Sequence, residues 1–135
     1  MAVEVIVFPD AVALLRGYLL GIAGVTALAS AVTGEVPADR PAAFVQLTRT
    51  GGSARELVVD EAAVTVDCWA ATQVAAMALA QLVRAHVNAL EGTTIAGVAV
   101  YGVNEVGGPA DLPDPDTQAP RVRQTFTVGL RGQPQ

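Results

Sequence analysis

The sequence predicts an α+β domain in which a mainly antiparallel sheet carries two principal helices on one face. Three observations lead to this fold class. The chain has 135 residues, a length that corresponds to one domain spanning 1–135. Two segments repeat their apolar residues with the 3.6-residue period of a helix, and several others alternate with the two-residue period of a strand. Helices on one face of the sheet would bury both helical stripes.

The first helix follows an N-terminal arm or strand within residues 1–9. The β-branched run Val3–Phe8 predicts the strand, and Asp10 is a suitable N-cap for the helix. Gly24 is a natural residue to end that helix. The stretch Val25–Thr33 fits either a helical tail or a strand, so the sequence leaves it open.

The middle of the chain is predicted to be three short strands joined by turns. Two prolines disfavour helix in the connection Gly34–Pro41. Glycines at 51 and 52 then predict a hairpin turn, and Asp60-Glu61 predicts a second turn. The predicted strands are Phe44–Thr50, Leu57–Val59 and Ala63–Trp69.

The second half predicts one helix and two longer strands. The helix runs from about Thr72 to Glu91, with His86 inside its apolar stripe, and stops at Gly92. Strands are predicted over Ile95–Glu105 and Arg121–Arg131. Between them, Val106–Pro120 is predicted to be a long loop, and residues 132–135 to be a flexible tail too polar to pack.

The charge balance argues against a nucleic-acid reader. The net charge is −5, and all eight basic residues are arginines. An acidic chain gains no affinity from releasing the counterions of nucleic acid, so a DNA-reading domain is not expected. Membrane insertion is not expected either. The apolar stretch Ala11–Val32 contains Arg16, and its charge-free remainder is shorter than the roughly 20 residues that span a bilayer.

No set of residues predicts an active site. Cys68 and His86 are the one possible thiol–imidazole pair, but both fall on apolar faces, so we expect them to be structural. The acids Asp111, Asp114 and Asp116 lack the spacing of a calcium loop. Gly107-Gly108 matches no phosphate-binding motif. We therefore predict no catalytic residue, no metal and no cofactor.

Several segments, taken in order, resemble the tail terminator (tail completion) proteins of long-tailed bacteriophages, especially those of actinobacterial hosts. They are Phe8–Asp10, Glu35–Pro41, Phe44–Gly52, Val66–Ala70, Glu105–Pro109 and Leu112–Pro115, followed by Arg121 at the start of the last strand. One departure is the Ala-rich stretch from Gly24 to Val32, which is longer than the family pattern. With that exception the resemblance covers essentially the full chain.

The resemblance implies a structural virion protein without enzymatic activity. Such proteins form a homohexameric ring at the head-proximal end of the tail, after assembly in the host cytoplasm. Their partners are the major tail tube protein and a head-completion or connector protein. DNA passes through the lumen, and an acidic ring would let it slide without sticking. Two other interpretations stay open: another head–tail connector or tube component, and a small-molecule-binding or enzymatic domain.

Charged side chains in the hairpin, the long loop and the last strand are predicted to form a subunit or partner interface. Arginine is enriched at interfaces because its planar fork binds carboxylates bidentately. The alternative is a solvated strand face. The candidates are Arg49, Arg55, Asp111, Asp114, Asp116, Arg121, Arg123 and Arg131.

Overall fold

A computed structural model describes residues 4–135, so Val3, the first residue of the predicted N-terminal strand, lies outside it. Eight strands and three helices follow one another along this part of the chain. They are β1 (Ile6–Val7), α1 (Ala11–Leu20), α2 (Ala23–Leu28), β2 (Ala31–Thr33), β3 (Phe44–Glu56), β4 (Val59–Trp69), α3 (Gln73–Asn88), β5 (Thr94–Ile95), β6 (Val98–Asp111), β7 (Arg121–Arg131) and β8 (Gln133–Pro134).

Six of the strands form one sheet in the order β2-β3-β4-β7-β6-β5. Every neighbouring pair is antiparallel except β2 and β3, which run parallel. The outer strands β1 and β8 pair only with each other. This arrangement confirms the predicted fold class, a mainly antiparallel α+β domain.

The helices and one face of the sheet share a single hydrophobic core. Alternate residues of β4 and β7 point into it, among them Val64, Val66 and Phe126. Helix α1 contributes Leu15 and Leu19 to the same core. Helix α3 contributes a stripe at helical spacing: Ala76, Leu79, Ala80, Val83 and Val87. Both principal helices therefore cover the same face, and the other face of the sheet is left for polar residues.

The helix starts agree with the sequence, but the first helix ends earlier than predicted. Asp10 caps α1 by accepting the Ala13 amide at 3.1 Å, and Thr72 caps α3 in the same way. The prediction of a stop at Gly24 is wrong, because Gly21 caps α1 and the extended backbone of Ile22 separates it from α2. The apolar segment that raised the membrane question is thus broken into short elements. Among residues 4–135 no helix has the length and apolar character needed to cross a membrane.

The predicted three-strand middle region is in fact one long hairpin. Strand β3 continues through Gly51 and Gly52, and the chain turns only after Glu56. Both glycines have positive φ and pair with β4, and the pairing register shifts at Thr50 just before them. This part of the chain is therefore a bulge inside the strand instead of a turn. The Asp60-Glu61 turn is likewise wrong, since both residues lie within β4.

Two corrections concern the second half of the chain. Strand β6 extends to Asp111, so only residues 112–120 of the predicted loop lie outside strands. The tail is not unpaired, because Gln133 and Pro134 align with Val7 and Ile6 of β1. A polar segment can pair here because backbone groups, and not side chains, make the strand contacts.

Candidate interaction surface

The face of the sheet opposite the helices carries three rows of paired polar and aromatic residues. The register of β3, β4 and β7 sets them side by side. The rows are Phe44–Trp69–Arg121, Gln46–Asp67–Arg123 and Thr48–Thr65–Thr125. A cleft of about 310 Å³ opens over these rows, bordered by Val36 of one connecting segment and Asp114 of another. We call it the Trp69 cleft.

Arg123 forms an ion pair within the chain with the buried carboxylate of Asp67. Its Nε and Nη2 donate to the two Asp67 oxygens at 2.8 and 3.1 Å. The Asp67 side chain is only 6% exposed, whereas that of Arg123 is 43% exposed. This bidentate bond raises the pKa of Arg123 above its usual value, against a smaller opposing effect of burial. Arg123 was predicted to be an interface residue, and here its charge is neutralised within the chain.

Trp69 forms the centre of an aromatic and cationic cluster at one end of the cleft. Its ring stacks on Phe44, with the centroids 5.3 Å apart. The guanidinium carbons of Arg40 and Arg121 lie 4.8 and 5.1 Å from the Trp69 ring centroid. Both distances are within the range of a cation–π contact. Arg121 also donates from Nε to the Leu112 carbonyl at 2.8 Å.

The hairpin arginines have intramolecular partners as well. Arg49 donates to both oxygens of buried Asp60, at 2.6 and 3.0 Å, and this bond raises the pKa of Arg49. Arg55 donates from Nη1 to Glu61 Oε1 at 3.1 Å, and both side chains are well exposed. Asp60 and Glu61 are therefore engaged within their own chain.

Arg131 and the loop acids complete the predicted set. Arg131 donates to the Tyr101 hydroxyl at 2.9 Å. Asp111 accepts from Gln73 at 3.0 Å. Asp114 accepts the amides of Asp116 and Thr117, and these two bonds lower its pKa below the usual 3.8. Asp116 itself is exposed.

Cys68 and His86, the possible thiol–imidazole pair, lie outside this face. Cys68 is fully buried, and burial raises the pKa of its thiol well above the usual 9.0, with the charge of Asp67 as a smaller cause. His86 is half-buried, and its backbone carbonyl accepts the Tyr18 hydroxyl at 2.8 Å. Within residues 4–135, no three His, Cys, Asp or Glu side chains are grouped as metal ligands would be.

Sequence reasoning did not identify Arg40 or Trp69 as site residues. Strand alternation does place Trp69 and Asp67 on one face of their strand, and Arg121 and Arg123 on one face of theirs. The pairing register of β4 with β7 decides that these residues are neighbours. Arg40 lies in an irregular segment between two prolines, where no periodic pattern predicts the direction of a side chain.

Comparison with known proteins identifies a family and solved structures of similar fold. The family model described as tail completion protein gp17 matches residues 13–131. Among solved structures, a chain from the virion of a native gene transfer agent particle superimposes with a TM-score of 0.67 and 16% identity. The match covers 90% of this chain and 95% of that chain. At this identity the likeness concerns the fold. No curated protein matches the sequence.

Proposed function

We propose, from the premise that this chain belongs to the family of tail completion protein gp17, that it caps the tail tube as a ring. Membership makes it a structural tail protein of the virion, and it confirms the family predicted from sequence. The proposed ring would stop tube growth and present the surface that joins the head-completion complex. The family match over residues 13–131 carries this proposal.

The charge of the chain fits a ring around passing DNA. With a net charge of −5, each copy adds to an acidic assembly that does not retain the phosphate backbone. The partners would be further copies of the chain, most simply six, the major tail tube protein and a head-completion or connector protein. No step of this role needs a catalytic residue, a metal or a cofactor.

The structure narrows the proposed interface. Of the eight predicted residues, Arg49, Arg55 and Arg123 already have acidic partners in their own chain. We propose that these three mainly hold the sheet together. Contacts with other subunits would then come from Arg121, Arg131 and the acids of residues 111–116.

The length of the tail tests the capping role directly. Tails assembled without this protein are expected to be overlong and to lack heads. The wild-type protein supplied in trans is expected to restore tails of normal length that are joined to heads. Electron microscopy of lysates measures both. Tails of normal length that lack heads would instead indicate a connector, and the absence of any tube would indicate a tube component. Either result would overturn the capping proposal.

The ring itself is tested on the isolated protein and on purified tails. Mass photometry and negative-stain imaging are expected to find a closed assembly of about six copies at the tail end. A protein that stays a single copy on intact tails would contradict the ring.

A further inference from the structure

We infer that a carboxylate side chain of another virion protein binds at the Trp69 end of the cleft. It would be held by Arg121, which lines the cleft, and by Arg40, which lies beside the cleft over the Trp69 ring. The cleft has about 310 Å³ of space, enough for one acidic side chain and the backbone that carries it. Strands β4 and β7 position Trp69 and Arg121 on its floor, and the segment between β2 and β3 brings Arg40 to the same ring.

The two guanidinium groups have donors to offer. Within residues 4–135, Arg121 uses only its Nε, toward the Leu112 carbonyl, and the hydrogen bonds include none from Arg40. A guanidinium group carries five N–H donors in a planar fork that matches the two oxygens of a carboxylate. Their contact with Trp69 fixes the position of both groups and leaves these donors available.

Trp69 is the packed centre of the site. It is 3% exposed, and its indole N–H has no acceptor in the part of the chain that the structure describes. A buried donor without an acceptor is uncommon in a folded protein. Tryptophan and arginine are also the residue types that contribute most to binding energy at protein interfaces.

The surroundings of the cleft favour a single carboxylate over the phosphate chain of DNA. Asp114 is negative at its border, because two backbone amides lower its pKa. Glu35, Asp39 and Asp116 lie in the same two connecting segments. The charges of Arg121 and Arg40 also act on Asp114, so the two guanidinium groups lie near an acid of their own chain. A run of closely spaced phosphates would bring more negative charge against these acids than one carboxylate does. That the carboxylate belongs to another virion protein rests on the proposed function; the preference for carboxylate does not.

Fluorescence of Trp69 reports on this site alone, because it is the one tryptophan of the chain. The probe is a capped peptide with glycine-spaced glutamates, titrated up to millimolar concentration at low salt into the full-length protein. We expect a saturable change in Trp69 emission. The same peptide with glutamine in place of glutamate is expected to give no change, since it lacks the charge that strengthens the hydrogen bonds.

Arginine variants decide whether the expected residues hold the peptide. The R40Q variant leaves the ion pairs of the sheet intact. The double variant R40Q/R121Q removes both guanidinium groups. The double variant is expected to raise the Kd at least about tenfold, because it loses charge-assisted hydrogen bonds. The matched control is R84Q, whose arginine pairs with Glu105 and which should bind like the wild type.

Several outcomes would overturn the inference: no saturable change, an equal response to the glutamine peptide, an unchanged Kd in both R40Q and the double variant, or tighter binding of an oligothymidylate. The titration is done on the isolated protein, whereas tail length decides the proposed capping role. A negative peptide titration would therefore leave the capping role standing, and tails of normal length would leave the binding site standing.

Discussion

At the scale of single residues, the ion pairs of this protein differ in how much each can stabilise the fold. Asp67 and Asp60 are buried acids with bidentate arginine partners, while Glu61 pairs with Arg55 in solvent. A buried carboxylate that loses its partner remains out of water without a hydrogen-bond donor, which lowers the free energy of unfolding. An exposed carboxylate is rehydrated by water instead. We therefore expect the ion pairs of Asp67 and Asp60 to contribute more to the free energy of unfolding than the ion pair of Glu61.

Substitution of the Asp67–Arg123 pair should show this difference. We expect R123A to lower the free energy of unfolding by about 1.5–3 kcal/mol, because it leaves the buried Asp67 carboxylate without its two charge-assisted hydrogen bonds. The exposed control R55A, which removes the partner of Glu61, is expected to cost about 0–1 kcal/mol. Urea unfolding measures both. Equal losses in the two variants would show that burial does not set the contribution of these pairs.

Asp114 is expected to make stability depend on pH in the acid range. Its folded-state pKa lies below the usual 3.8, mainly because the Asp116 and Thr117 amides bind the ionised form. Its contribution is therefore fully present above about pH 3.8 and is lost as the pH falls through the folded-state pKa. Thermal unfolding between pH 6 and pH 2.5 should fall less steeply in D114N than in wild type. Identical curves would contradict this assignment.

At the scale of elements, the long β3–β4 hairpin depends on glycine at one position. Gly52 has φ +83°, and a Cβ added there would lie 2.0 Å from the Glu61 carbonyl oxygen. The backbone of one strand approaches the other too closely for any side chain. Strand β3 can therefore stay paired with β4 beyond the bulge only because Gly52 lacks a Cβ.

Alanine at Gly52 should accordingly destabilise the hairpin. We expect G52A to lower the free energy of unfolding by about 1–3 kcal/mol, from positive φ and the clash with the Glu61 carbonyl. The control is G107A, at an exposed strand position where a Cβ would have no neighbour within 4 Å. Chemical denaturation compares the two. Loss of stability in G107A equal to that in G52A would rule out the clash as the cause.

At the scale of the whole molecule, the long segment between the last two predicted strands divides into two parts. Residues through Asp111 belong to β6 and pair with β7, whereas residues 112–120 lie outside any strand. Loops of more than about 12–15 residues without their own structure are usually functional or disordered, so the sequence predicts that Val106–Pro120 is a contact or lumen-lining segment ordered mainly by assembly. Because β6 pairs with β7, this prediction now applies only to residues 112–120. That segment borders the Trp69 cleft through Asp114.

Hydrogen exchange on the free protein and on tail-bound protein tests this division. Residues 112–120 should gain protection on assembly, because other subunits or partners would cover them. Amides of β6 that bond to β7 should be protected in both states, and they serve as the internal control. Equal and strong protection of residues 112–120 in the free protein would count against a role in assembly.

The fold class and the polar face of the sheet followed from the sequence by itself, because both depend on local periodicity. Alternation in β4 and β7 placed Asp67, Trp69, Arg121 and Arg123 away from the core, and Asp10 marked the start of a helix. The family was also recognisable, because its segments occur in order along the chain.

Only the tertiary structure decided which of these residues meet. Pairing register set Arg123 against Asp67 and Arg121 beside Trp69, and register depends on contacts between strands that are far apart in sequence. A bulge at Thr50, just before the two glycines, turned a predicted hairpin turn into a continuous strand, and Arg40 reached Trp69 from a segment without periodicity. Sequence patterns report the face of an element on which a residue lies; the packing of distant elements determines its partner.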